Sequence, residues 1–368
     1  MLWNALAEPS VDGSSRLDTG GSTFDFHGLY RVRVSHRALA TLMRTELGSF
    51  LSDSTRPDLT IDEGAVPRLA RSLAGAYRYD DAVFVVETGS GRIAIGKDHI
   101  LAEPHVDANE LLGHWVENIM KMEIARQGVC FVHSAAISRD GVGYLLPAWM
   151  GSGKTHVLLH ALSRRYSFMA DDWCFISRSG QVMAYPRWPS LAYQHFKANP
   201  WLRNILANGS GDARLKRCLA VNDFADSLQP SSELGRRFRR FLYNRFYVSV
   251  RPPLTQMFPE AESVLSAPVS RVALLVASDQ AEVDIRRVPT EEIARRTVWS
   301  GTYERSRYSA HRLAIAYAGK GAPPADTTAL EAAFLSEAFS RASCFEVTLP
   351  SHPQPRDLDF ILNELANT

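Results

Sequence analysis

The octet Ala148-Trp149-Met150-Gly151-Ser152-Gly153-Lys154-Thr155 constrains this chain more than any other stretch. It matches the phosphate-loop spacing G-x-x-x-x-G-K-[ST] at every required position except the first, where Ala148 stands for glycine. An apolar run, Tyr144-Leu145-Leu146, precedes it, and Val157, Leu158, Leu159, Ala161 and Leu162 recur on one face of a helical stretch behind it. The order is strand, loop, helix. Gly151 and Gly153 let backbone N–H groups turn inward around a polyphosphate, and the helix N-terminus adds its partial positive charge. Trp149, Met150, Gly151, Ser152, Gly153, Lys154, Thr155 and His156 are therefore the candidate nucleotide contacts. Lys154 is expected to reach the β- and γ-phosphates, and Thr155 to offer its hydroxyl to magnesium. A glycine-rich turn without a ligand is the competing reading, and the agreement of octet and context weighs against it.

The flanks sharpen the picture. Asp140-Gly141 stands between two apolar runs and predicts a tight β-hairpin. With those two as turn residues, Arg139 faces Val142, and counting back along the ladder puts His133 opposite Ala148. Downstream, Phe168-Met169-Ala170 reads as a short strand leading into the adjacent acids Asp171 and Asp172. Adjacent carboxylates raise each other's cost of ionising and are rarely buried without a metal or a cation. Side chains alternate along a strand, so only one of the two need face a nucleotide. Trp173–Ile176 and Val182–Tyr185 flank Ser179-Gly180, a further hairpin signal, and Pro186 and Pro189 end it. Arg187 either contacts phosphate, for which its paired donors suit it, or caps the strand end.

In order and spacing, His133-Ser-Ala-Ala-Ile, the hairpin, the loop ending Gly151-Ser-Gly-Lys-Thr155, and Ala170-Asp171-Asp172 resemble the C-terminal catalytic domain of HPr kinase/phosphorylase. The HPr-kinase-like proteins found beside bacterial peptide-modification genes are similar too. The resemblance covers residues 128–187. It implies a P-loop serine/threonine kinase whose fold is related to phosphoenolpyruvate carboxykinase and not to the eukaryotic protein kinases. It further implies that His133 and Asp171 act in proton transfer, while Asp172 and Thr155 hold magnesium. The family's later glycine-rich segment, with its metal-binding glutamate and its part in phosphorolysis, has no match after Arg187. The residues thus favour kinase activity over the reverse reaction.

The remaining chain bounds the reading without naming a chemistry. Its 368 residues, 45% apolar and 22% charged, can hold two cores in a mixed α/β fold. Residues 1–23 read as a flexible arm, 24–105 as a small α+β domain suited to oligomerisation or substrate capture, and 106–368 as the P-loop domain. Within the second, Leu29–Val34 alternates like a strand, Ala38–Leu51 reads as a helix, and Asp81–Glu87 with Arg92–Gly96 as a hairpin. Asp107 opens a helix with Glu110 at capping-box spacing, and Leu111, Trp115, Ile119 and Met122 share its inner face. His114 has no partner at metal-site spacing and reads as an ordinary surface histidine. Asn208–Asp212 is a candidate lid. Thr290–Ala318 reads as helical with an interruption at Gly301, and Pro323–Arg341 as a long helix.

A net charge of +1 gives no global argument for nucleic acid, although Arg236–Phe241, continuing to Arg245 and Arg251, mixes arginines with aromatics. That tract suits an acidic peptide, triphosphate charge or a plain solvated helix. No segment reaches the ~20 uninterrupted apolar residues of a membrane helix, no secretory leader is visible, and the four cysteines form no C-x-x-C pair. The expectation is a cytoplasmic chain with no membrane partner that binds ATP and magnesium. Its acceptor is a hydroxyl on a peptide, a small protein or a small molecule. A nucleotide-binding regulator without phosphoryl transfer is the alternative from another class, and His133 with Asp171 weighs against it, since binding alone requires neither.

Overall fold

The computed structural model describes residues 21–66, 76–78, 84–96, 98–209, 212–228, 232–306, 313, 316, 328–351 and 353–367. Nearly all of the expected N-terminal arm, residues 81–83 of the expected hairpin, 210–211 of the candidate lid and 323–327 of the expected long helix lie outside these ranges. The described chain is mixed α/β, built on two eight-stranded sheets.

The first sheet collects β1 (Ser22–Phe26), β2 (Tyr30–Val34), β3 (Leu51–Ser52), β4 (Leu59–Glu63), β5 (Ala76–Arg78), β6 (Phe84–Glu87), β7 (Arg92–Ile95) and β8 (His99–Ala102). Their order is β3-β1-β2-β4-β8-β7-β6-β5. In β2 the alternation behaves as its pattern requires, with Tyr30, Val32 and Val34 buried between Arg31 and Arg33. The expected helix from Ala38 is α1 (Arg37–Glu46), and it stops before Leu51. Gly48 begins a 3₁₀ turn that drives Phe50 into the core against Phe26, and Leu51 then joins the sheet beside β1. Asp107 caps the next helix by accepting from the Glu110 N–H at 2.9 Å. Instead of returning to the cap, the Glu110 carboxylate accepts from Ser90, so only half of the expected capping box forms. Beyond a π-helical turn, Leu111–Val116, this helix continues as α2 (Glu117–Ala125), and Leu111, Trp115 and Ile119 are fully buried.

The second sheet holds β9 (Val129–Arg139), β10 (Val142–Pro147), β11 (Ser167–Ala170), β12 (Trp173–Ser177), β13 (Gln181–Met183), β16 (Ser266–Ser278), β17 (Asp284–Arg287) and β18 (Ser343–Pro350). Two short strands, β14 (Leu191–Ala192) and β15 (Ser249–Val250), pair with each other beside it. β10, β16 and β18 run parallel, and β9, β12, β13, β16 and β10 close into a ring through successive pairings. α3 (Lys154–Ser163) and α8 (Pro355–Asn367) cover one side of this sheet, while α6 (Thr290–Ser306) and α7 (Thr328–Ala338) pack against the core on another. α6 passes straight through Gly301, where an interruption was expected. Gly301 is buried, and packing outweighs the roughly 1 kcal/mol that glycine costs in a helix.

Between β14 and β15 the chain makes a helical excursion that includes α4 (Ala213–Ser227) and α5 (Glu233–Arg245). It has its own core around Phe196, Leu202, Leu215 and Leu219. No disulfide forms, since all four cysteines are free thiols. Among the described residues no helix is long and apolar enough to cross a membrane.

Candidate functional site

β9 is the strand on which the site is assembled. Through Ser134 it pairs with β10, and through His133 with β12, so these two residues stand where the strand changes partners. Asp140 and Gly141 have φ of 52° and 79°, the left-handed pair of a type I′ turn. The hairpin register follows from that turn, running from Val142 opposite Arg139 to Pro147 opposite Ser134. The ladder ends one pair short of Ala148 and His133. Ala148 bridges instead to Leu275 of β16. It is fully buried and not among the left-handed residues, which explains why alanine fits where the spacing calls for glycine. The left-handed turns of the loop fall on Gly151 and Gly153, at φ of 81° and 90°.

β11 and β12 also both pair with β9, so the two-residue link between them, Asp171-Asp172, is held beside the same point. The Ser134 N–H donates to the Asp172 carbonyl at 3.1 Å and closes the arrangement. Lys154, the first residue of α3, is buried, with Nζ 2.7 Å from His133 Nε2 and 3.6 Å from Asp172 Oδ1. The Thr155 hydroxyl donates to Asp171 Oδ1 at 3.0 Å, and the Ser190 N–H donates to Asp171 Oδ2 at 3.1 Å. Arg251 donates to Asp172 Oδ2 at 3.3 Å and to the Trp188 carbonyl at 2.7 Å. Thr155 was expected beside Asp172, and the structure pairs it with Asp171. Ser300, on α6, donates from Oγ to the Ala148 carbonyl at 2.6 Å and lies 3.0 Å from His133 Nδ1.

The two aspartates sit in opposite electrostatic settings. Asp171 is 1% exposed; burial, reinforced by the charge of Asp172, pushes its carboxyl up to about 6. Burial works in the same direction on Asp172, but the charges of Lys154 and Arg251 outweigh it and hold the group down at about 2. Asp172 is the one of the pair that faces the cleft, with 37% of its side chain exposed.

The cleft has a volume of about 1220 Å³. The phosphate loop, His133 and Asp172 form one end of it, and α1 and the start of the helix at Asp107 form the other. Arg187 lies in the wall and not against the loop: it donates to Glu46 at 2.9 Å, Glu117 at 3.1 Å and Asn109 at 3.1 Å. It therefore joins the strand end to the helices of the first sheet, and Tyr185 adds a hydrogen bond to Glu117 at 2.9 Å. Trp149 and Met150 are half-exposed at the rim, where Trp149 stacks on Tyr303 with ring centroids 4.3 Å apart. His156 packs against His195 at 4.7 Å. Burial, with the neighbouring His156, lowers His195 to about 3, so its ring is neutral. His195 Nδ1 accepts from the Ala192 N–H.

Sequence reasoning missed Ser190, His195 and Ser300, none of which sits in a local pattern. Arg251 was visible only as the tail of the basic tract, and of that tract's arginines it alone lines the cleft. The others ride on α5, where Arg236 and Arg237 pair with Glu233, and Phe238 and Phe241 are exposed.

The oxygen donors of Thr155, Asp171 and Asp172 suit a hard cation. Among the described residues no three His, Cys, Asp or Glu side chains form a metal cluster. Compared with protein-family models, the chain matches none, and no curated protein gives a match.

Proposed function

We propose that the chain is an ATP-dependent phosphotransferase of the HPr-kinase-like kind, passing the γ-phosphoryl group to a hydroxyl on a peptide or small protein. The observation that carries this reading is the cleft itself. A phosphate loop with its lysine in place shares one cavity with an ionised, cleft-facing carboxylate. At about 1220 Å³ the cavity exceeds the roughly 300–1,000 Å³ of a single small-ligand site and so leaves room for an acceptor group beside a nucleotide.

In this reading the loop amides and Lys154 hold the phosphates. The Thr155 hydroxyl gives its proton to Asp171 and keeps its lone pairs for the metal, so Asp171 orients a metal ligand. Magnesium at this position would offset the charge that develops on the transferring group. Asp172 is the carboxylate an acceptor hydroxyl can approach, and Lys154 and Arg251 keep it ionised and ready to take the proton. The roles that the family resemblance gives to the two aspartates are exchanged in this assignment.

The test is to incubate the protein with γ-labelled ATP, magnesium and a lysate of its own host. Label in peptide or protein is expected. Label in a metabolite would redirect the reading to a small-molecule kinase, and nucleotide binding without transfer would replace it with a regulator.

A further inference from the structure

Ser300 stands 167 residues from His133 in sequence, yet its hydroxyl lies within hydrogen-bond distance of both His133 Nδ1 and the Ala148 carbonyl. Both side chains are buried. A carbonyl oxygen only accepts, so the single hydroxyl proton of Ser300 points at Ala148. What remains at Oγ is lone-pair density, and the Nδ1 atom 3.0 Å away must therefore carry a proton. On the other side of the ring, Nε2 faces the Lys154 ammonium at 2.7 Å. An ammonium only donates, so Nε2 must be bare. The two ends of the imidazole agree on one state, neutral with its proton on Nδ1.

We propose that Ser300 is a positioning residue for the phosphate-loop lysine: it fixes the His133 tautomer so that Nε2 accepts from Lys154 and holds the ammonium at the mouth of the loop. The same hydroxyl ties the first loop residue, Ala148, to α6. With its unprotonated nitrogen held by Lys154, His133 does not take the proton from an acceptor, and that task falls to Asp172. Only the catalytic consequence rests on the phosphotransfer reading; the tautomer follows from the hydrogen bonds alone.

The test begins with nitrogen-15 NMR of the histidine rings in the unliganded wild-type protein near neutral pH, with His133 assigned through His133→Gln. A neutral ring protonated at Nδ1 is expected. A ring protonated at Nε2, or at both nitrogens, overturns the proposal. Ser300→Ala should lose the Nδ1 preference and weaken binding of magnesium ATP, measured by calorimetry, by about 10-fold, the lower end for an outer orienting partner. Ser300→Thr, which keeps the hydroxyl, should restore both. Weakened binding with an unchanged tautomer would reduce Ser300 to a packing residue and sink the idea. If no acceptor were ever labelled, the phosphotransfer reading would fail while the tautomer and binding measurements still judged Ser300.

Discussion

The two ends of the cleft are built in different ways. At the phosphate end, the hairpin, loop, helix and acid pair come from one continuous stretch, and strand register places each group. At the opposite end, α1, the helix at Asp107 and Arg187 meet from separate parts of the chain, held by buried ion pairs to Glu46 and Glu117. Under the proposed function, the comparison separates chemistry from recognition. Phosphate handling needs backbone geometry that a short motif can encode, whereas an acceptor wall needs only a surface, which many sequences can supply.

Lys154→Ala is expected to give the largest effect, a loss of transfer on the order of 10³-fold with the fold intact, because the charge on the β- and γ-phosphates is removed. Near-normal turnover by a folded variant would break the phosphate end of the comparison. Arg187→Ala strikes the other end. It leaves Glu46 and Glu117 buried without their cation, so a stability loss of about 3–5 kcal/mol should appear in chemical denaturation. An unchanged midpoint would show that the wall does not depend on that pair.

Smaller effects sharpen the division of labour between the acids. Asp172→Asn should slow transfer by roughly 10²-fold while nucleotide affinity stays within a few fold. Asp171→Asn should weaken transfer less, and excess magnesium should recover part of it; the reverse pattern would return the two roles to the assignment implied by the family. The smallest signal is in pH. The folded carboxyl of Asp171 is raised to about 6 from an ordinary 3.8, so the contribution of this group to wild-type stability falls as pH climbs through that window. The melting temperature of Asp171→Asn relative to wild type should therefore rise between pH 4 and pH 7. A flat difference would mean that burial of the Asp171 charge is already fully compensated.

The legible parts of the sequence were those in which neighbours in the chain are neighbours in space. The Asp140-Gly141 turn fixed the register that brings His133 toward the loop, and Ala170 marked the end of the strand before the acids. The partner of Thr155 was not legible, because the pleat of a strand alone does not decide which adjacent acid turns inward. That choice is made by the Ser190 N–H and by Arg251, which arrive from far along the chain. The partners of Arg187 were not legible for a similar reason: nothing in its surroundings announces Glu46 or Glu117. Gly301 looked like a break because propensity is local while its burial is not.

β9 is paired along its whole length, with β12 over Val129–His133 and with β10 over Ser134–Arg139, and β11 joins it over Ala136–Ser138, while β10 lies between β9 and β16. Amide hydrogens in such strands are expected to exchange with solvent only when the whole unit opens, whereas those of α4, which packs on a separate small core, and of the largely exposed α5 can exchange through local opening. The phosphate loop is thus anchored in a part of the molecule where slow exchange is expected. Arg251, delivered by the excursion that carries those helices, connects it to a faster one.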